Sequence, residues 1–242
     1  MVQVGLKTDQ GIQRSNNEDA LFVIPEDKVY MVADGLGGHS SGEVASRQTV
    51  CILADYIKEN PISAVKDKDA ICSYIVDAIK NVNETIWKLA NSQDEYKNMA
   101  TTLVFVYIVR RNAYIANVGD SRAYLLRDDK LTQLTEDHSI VADMVTAGQL
   151  SREEARLHPD RNQLTRAVGA EKEVVPNVYE IKLKRNDLIL LCTDGLYSEL
   201  DDTQIADILS RTKSMSEICT DLVTEANRAG GGDNITVVCL KL

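Results

Sequence analysis

TLVFVYIVRRNAYIANVGDSRAYLL, residues 102–126, decides how this chain folds. Three runs, Thr102 to Val109, Ala113 to Val118 and Ala123 to Leu126, are dominated by β-branched, aromatic and aliphatic residues, which suit a pleated and buried surface. Only Arg110-Arg111-Asn112 and then Gly119-Asp120-Ser121-Arg122 separate them. Connections that short join antiparallel neighbours, because a parallel return needs a crossover of about a dozen residues. The stretch therefore predicts an antiparallel meander.

Upstream, Ala20 to Ile24 and Val29 to Ala33 read as a hairpin around Pro25-Glu26-Asp27. Helical spacing follows from Gly42 to about Lys58 and from Asp67 to about Asn91, where Ile71, Ile75, Ala78, Ile79, Val82, Ile86 and Leu89 make one apolar face. Downstream, strands are expected at Val178 to Leu183, Leu188 to Cys192 and Ile235 to Leu240, with helices near Thr203 to Ser210 and Ser214 to Arg228. Strands in groups and helices in consecutive pairs predict an α+β layered fold rather than a βαβ repeat. Ser139 to about Ala170, with short helical pieces, Gly148, Pro159 and few large apolar residues, reads as a surface flap. The expectation is one domain over residues 1–242.

The 242 residues are 44% hydrophobic and 26% charged, values of an ordinary globular chain, so no segment is expected to be disordered. A net charge of -10 repels nucleic acid and anionic membrane surfaces and suits cations. The odd set of five cysteines, Cys51, Cys72, Cys192, Cys219 and Cys239, forms no C-x-x-C pair and reads as reduced core. With neither a signal-like apolar N-terminus nor a membrane-length apolar run, the expected location is the cytoplasm, as a monomer.

Four aspartates share one local grammar. Asp34-Gly35 follows VYMVA, Gly119-Asp120 follows YIANV, Asp194-Gly195 follows LILLCT, and Gly232-Asp233 precedes NITVVCL. One Asp-Gly pair is ordinarily a turn. Four at strand ends instead suggest rigidly held carboxylates with backbone close by, which are the oxygen donors magnesium and manganese prefer; zinc would bring His or Cys. Arg14-Ser15-Asn16-Asn17-Glu18-Asp19 adds two carboxylates and a guanidinium whose planar fork suits a phosphate.

In their order, RSNNED, VADGLGGHSSGEVAS, NVGDSRAY, LTEDHS, LTRAVG, LCTDGL and GGGDNITVV resemble the protein phosphatase type 2C (PPM) family in its short bacterial form, from about Arg14 to the C-terminus. The resemblance implies a four-layer αββα sandwich of two antiparallel sheets flanked by helix pairs, with metals between the sheets at one end. It implies a metal-dependent protein serine/threonine phosphatase that opposes a Ser/Thr kinase, with phosphoproteins, including that kinase and its targets, as partners. Two core Mn2+ or Mg2+ ions are implied, and a third in bacterial members. Asp34 would bridge two ions, the Gly35 carbonyl would bind one, Asp194 and Asp233 would hold the other, and Asp120 with Asp194 would take the third. Glu18 and Asp19 would act through metal-bound waters or as anchors behind them, and Arg14 would grip the phosphate. Two such cations lower the pKa of a shared water toward about 7, which makes a hydroxide nucleophile at neutral pH.

Leu36 stands where animal members carry histidine, which leaves His39 as the candidate general acid, and Ala100 replaces the usual glycine before Thr101-Thr102. Three rival readings fit the residues less well. A serine esterase, prompted by Gly119-Asp120-Ser121, lacks a histidine after His158 and any G-x-S-x-G. A nucleotide-binding module, prompted by GLGG and GGGD, lacks G-x-G-x-x-G and the P-loop pattern. A catalytically silent phosphoprotein-binding regulator of the same fold would be free to lose a ligand, and all four aspartates are present.

Overall fold

A computed structural model of the chain describes residues 2–37 and 41–242, and Arg152 by its main chain alone. In chain order the first half forms β1 (Gln3–Asp9), β2 (Asp19–Ile24), β3 (Val29–Leu36), α1 (Ser41–Glu59), α2 (Lys68–Ala90), β4 (Ala100–Thr101), β5 (Leu103–Val109) and β6 (Asn112–Val118). Then come β7 (Arg122–Arg127), β8 (Lys130–Gln133), α3 (Ile140–Thr146), α4 (Arg152–Leu157), β9 (Asn177–Lys182) and β10 (Leu188–Cys192). The chain closes with α5 (Asp194–Tyr197), α6 (Asp202–Leu209), α7 (Met215–Ala229) and β11 (Ile235–Lys241).

Two antiparallel sheets result. One runs β1-β11-β10-β7-β8 and the other β2-β3-β5-β6-β9, with β4 beside β3. Apolar alternation on each strand feeds two cores at once, which is why the meander reads as near-continuous hydrophobic sequence. On β5, Leu103, Phe105 and Tyr107 face α1 and α2, while Val104, Val106 and Ile108 meet the other sheet. On β10, Leu188, Leu190 and Cys192 pack on α6 and α7, while Ile189 and Leu191 face inward. Three apolar interfaces thus separate four layers, the αββα sandwich. Each aliphatic side chain buried here contributes roughly 1.5–3 kcal/mol, so a charge at Val106 or Ile189 would be stranded between the sheets.

The helices obey local signals: Asp67, Ser139, Ser151, Asp201 and Ser214 cap α2, α3, α4, α6 and α7 through side-chain acceptors. Three strands lie outside the sequence reading: β1, the two-residue β4 and β8. β1, carrying the weak pattern QVGLKTD, exists because β11 pairs with it from Gln3↔Lys241 to Asp9↔Ile235. β8 is a short edge strand against β7. Between β8 and β9 lie α3 and α4, in the segment read as a flap. Main-chain bridges Ser139↔Leu164 and Thr101↔Val168 tie its two ends down.

Antiparallel order brings alternate strand ends to one side of the sandwich. The start of β2 pairs with the end of β3 through Asp19↔Asp34. Leu103↔Val118 sets Thr102 beside Gly119, and Cys192 neighbours both Arg122 and Val237. Asp34, Asp120, Asp194 and Asp233 consequently share that side.

Candidate metal centre

Each carboxylate is held by its own backbone neighbourhood. Asp34 sits in the last turns of pleat of β3: its N–H donates to Thr102 Oγ1 (2.9 Å), and its carbonyl accepts from Thr101 Oγ1 (2.8 Å) and the Thr102 N–H (2.9 Å). The Thr102 hydroxyl also bonds Ser121 Oγ at 2.7 Å, so the β3 end and the Asp120 loop share one hydroxyl pair. Gly119 turns that loop with φ +93°, a left-handed conformation that favours glycine. Its N–H donates to His138 Nδ1 (3.2 Å), and its carbonyl accepts from the His138 N–H (3.0 Å). Burial and Arg166 push His138 down to about 4, so the ring is a neutral acceptor.

Asp194 opens α5 directly behind Thr193, whose hydroxyl donates to Asp19 Oδ2 at 2.8 Å. Asn234 gathers the N-terminal loop: its Oδ1 accepts from the Glu18 N–H (2.8 Å), and its Nδ2 donates to the carbonyls of Gln10 and Asn16 (2.8 Å each). A side chain on Gly35 would run into the carbonyls of Gly42 and Glu18, so glycine is required there for close approach of three backbone segments.

The electrostatics are those of a charge deficit. Burial first, then Asp19, Asp194, Asp120 and Asp233, push the Asp34 carboxyl well above its usual range. Burial and neighbouring carboxylates raise Asp194 to about 6, Asp19 to about 7 and Asp120 to about 8. A side-chain hydrogen bond with Asp34 and the charges of Arg14 and Arg122 partly offset the rise of Asp194. Burial chiefly raises Glu18. Asp19 Oδ1 and Asp194 Oδ1 are buried without a hydrogen-bond partner. Burying carboxylate oxygens unpaired is costly, and a bound cation removes that cost.

The donor set therefore fits hard divalent ions: oxygen atoms alone, excess negative charge, and unsatisfied acceptors. Among the described residues, no three His, Cys, Asp or Glu side chains close around a single point. Two cavities, each of about 410 Å³, lie elsewhere, at the end of α2 near Asn91 and between α2 and Val175. Donor chemistry, not cavity shape, marks this end.

Of the residues singled out in the sequence, Asp34, Asp120, Asp194, Asp233, Asp19, Glu18 and Gly35 are brought together. Arg14 joins them through an ion pair, Nη2 to Asp233 Oδ2 at 2.7 Å, with a half-exposed side chain. His39 lies outside the described residues. Sequence reasoning missed Thr193, Asn234, Ser121 and Tyr197, all of which hold the aspartates in place. Their signal was adjacency, in CTDGLY, GDN and GDS, but hydroxyl and amide residues beside Asp-Gly look like turn chemistry until their partners are known.

The family described as Protein phosphatase 2C matches residues 11–228. The serine/threonine phosphatase stp of Listeria welshimeri is 40% identical over 238 residues, covering 97% of this chain and 94% of its own. Stp1, a serine/threonine phosphatase from Staphylococcus aureus, has a similar solved structure: TM-score 0.93, 32% identity, 100% of this chain and 95% of that one covered. The catalytic domain of the serine threonine protein phosphatase PstP, solved in complex with two manganese ions, is similar at TM-score 0.87 and 32% identity over 99% and 97% of the two chains.

Proposed function

The chain belongs to the protein phosphatase 2C family and is a serine/threonine phosphatase, and on that premise we propose that it is a divalent-metal-dependent enzyme whose strand-end carboxylates hold manganese or magnesium. The carrying observation is that aspartates from both sheets converge, raise one another's pKa, and leave Asp19 Oδ1 and Asp194 Oδ1 unpartnered.

Asp34, the Gly35 carbonyl, Asp194 and Asp233 would hold two ions, and Asp120 with Asp194 a third. Such ions supply a water made nucleophilic at neutral pH and neutralise charge on the phosphate oxygens. The chain's own part is to fix geometry and to bind. Arg14 presents a guanidinium fork suited to the phosphate; with Asp233 serving as a metal ligand, the fork would be free of its present partner and available to substrate. Glu18 and Asp19 orient water or ligands from behind. His39 is the candidate proton donor to the departing serine or threonine oxygen.

The fold is read as one phosphatase domain, with residues 139–170 as a flap that influences substrate choice. Opposition to a Ser/Thr kinase and a cytoplasmic location belong to the same proposal; no helix among the described residues is long and apolar enough to cross a membrane. The test is hydrolysis of a phosphothreonine peptide with manganese, magnesium or EDTA. Activity should vanish with EDTA and return with metal; turnover that persists in EDTA would refute metal dependence.

A further inference from the structure

The geometry points to Tyr197 as a positioning residue that sets the spacing between Asp120 and Asp194, and with it the affinity for an ion those carboxylates share. This rests on the proposal that both are ligands. Tyr197 closes the four-residue α5 that Asp194 opens, so the two residues lie on neighbouring positions of one turn. Its hydroxyl leaves that turn and donates to the Asp120 carbonyl at 2.9 Å. One side chain thus spans the ends of two strands that are distant in sequence.

The strut is rigid because its ring is clamped. The Arg122 guanidinium lies 3.5 Å from the ring centroid, an attractive cation–π contact. That guanidinium cannot swing away. Its Nε and Nη2 donate to Asp137 at 3.0 and 2.6 Å, and its Nη1 donates to the Tyr124 hydroxyl at 2.8 Å. From the other side, Arg156 of α4 donates to the Tyr197 carbonyl at 3.0 Å. Arg122 is only two residues from Asp120, yet Asp137 takes its hydrogen bonds, which leaves the Asp120 carboxylate for a cation. Loss of the Tyr197 hydroxyl would leave the loop folded, since Gly119 keeps His138 and Ser121 keeps Thr102. Only the register of Asp120 against Asp194 would loosen.

The experiment counts manganese by calorimetric titration in the full-length wild type and in Tyr197→Phe, Asp120→Asn and Tyr124→Phe. Phe keeps the ring and its contact with Arg122, so only the strut is cut. Tyr197→Phe should weaken the lowest-affinity manganese event about tenfold, the low end for residues that orient ligands, and leave the metal-free melting temperature unchanged. Activity on p-nitrophenyl phosphate should need correspondingly more manganese and recover at saturation. Tyr124→Phe removes a different hydroxyl from the same guanidinium but leaves Arg122 its bonds to Asp137, which hold the clamp, so it should titrate like wild type. If Asp120→Asn loses the weak event while Tyr197→Phe titrates like wild type, the strut is refuted. If Asp120→Asn itself titrates like wild type, the ligand assignment of Asp120 fails first and the strut with it.

Discussion

Asp187 and Asp34 are both carboxylates packed into the sandwich, Asp187 just before β10 and Asp34 near the end of β3, on the side where β10 runs out into Asp194, and their surroundings are opposites. Asp187 is 2% exposed and fully answered: Arg127 donates Nε and Nη2 at 2.9 and 2.6 Å, and the Lys184 N–H donates at 2.7 Å. Burial pulls its pKa up, but those hydrogen bonds and charges outweigh it and hold the group below the carboxylate range. Asp34 faces Asp19, Asp194, Asp120 and Asp233 instead, and its pKa is driven up. One end of the molecule is built to be stable as it stands. The other carries a charge deficit of the kind a cation would complete, a local conflict of the sort that marks functional sites.

The sharpest way to break this contrast is to neutralise each carboxylate. Asp34→Asn and Asp194→Asn should each lower phosphopeptide turnover by more than about a hundredfold, exceeding the loss typical of residues behind a ligand. Their metal-free melting temperatures should stay level or rise, because an uncompensated charge is gone. Asp187→Asn should do the reverse and cost about 2 kcal/mol in chemical denaturation, since the hydrogen bonds Arg127 makes to a buried carboxylate are weakened, while folded molecules keep their turnover. Full activity in Asp194→Asn would end the site assignment.

Next in size is the effect of pH. Asp194, Asp19 and Asp120 rise from 3.8 to about 6, 7 and 8 on folding. A carboxyl with a raised folded pKa favours the folded state fully below its unfolded value and loses that contribution as pH climbs through the folded value. The EDTA-treated protein should therefore lose stability between about pH 4 and 8. Manganese competes with those protons, so the rise in melting temperature on adding it should grow over the same range. Parallel melting curves with and without manganese at pH 5.5, 6.5 and 7.5 check this; a constant offset would contradict the deficit.

The smallest effect is expected from Arg14, which is exposed and reaches the carboxylates from the rim. Arg14→Ala should raise KM for a phosphopeptide about tenfold with little change in kcat, as loss of uniform binding does. A fall in kcat with KM unchanged would instead give Arg14 a role confined to the transition state.

Much of the fold was legible because burial on two faces leaves a plain local trace. The strands at Val29, Leu103, Asn112 and Leu188 begin within a residue of where composition put them, β3 running three residues past its expected end, and the helical face of Ile71 to Ile86 is the face that packs. β1 escaped, since Gln3–Asp9 becomes a strand only through Ile235–Lys241. α5 escaped as well; four residues are too few for a 3.6-residue period to register.

At the site, the sequence alone determined the chemistry: aspartates beside glycines at strand ends, oxygen donors without histidine or cysteine, and an arginine ahead of them. Residue types and short spacings carry that information directly. The tertiary structure alone decided convergence and support. Thr193 finds Asp19, Tyr197 finds Asp120, and Thr102 finds Ser121 only after two sheets close on one another. Contacts such as that of Arg14 with Asp233, 219 positions apart, are set by packing of the whole core, and no local window contains them.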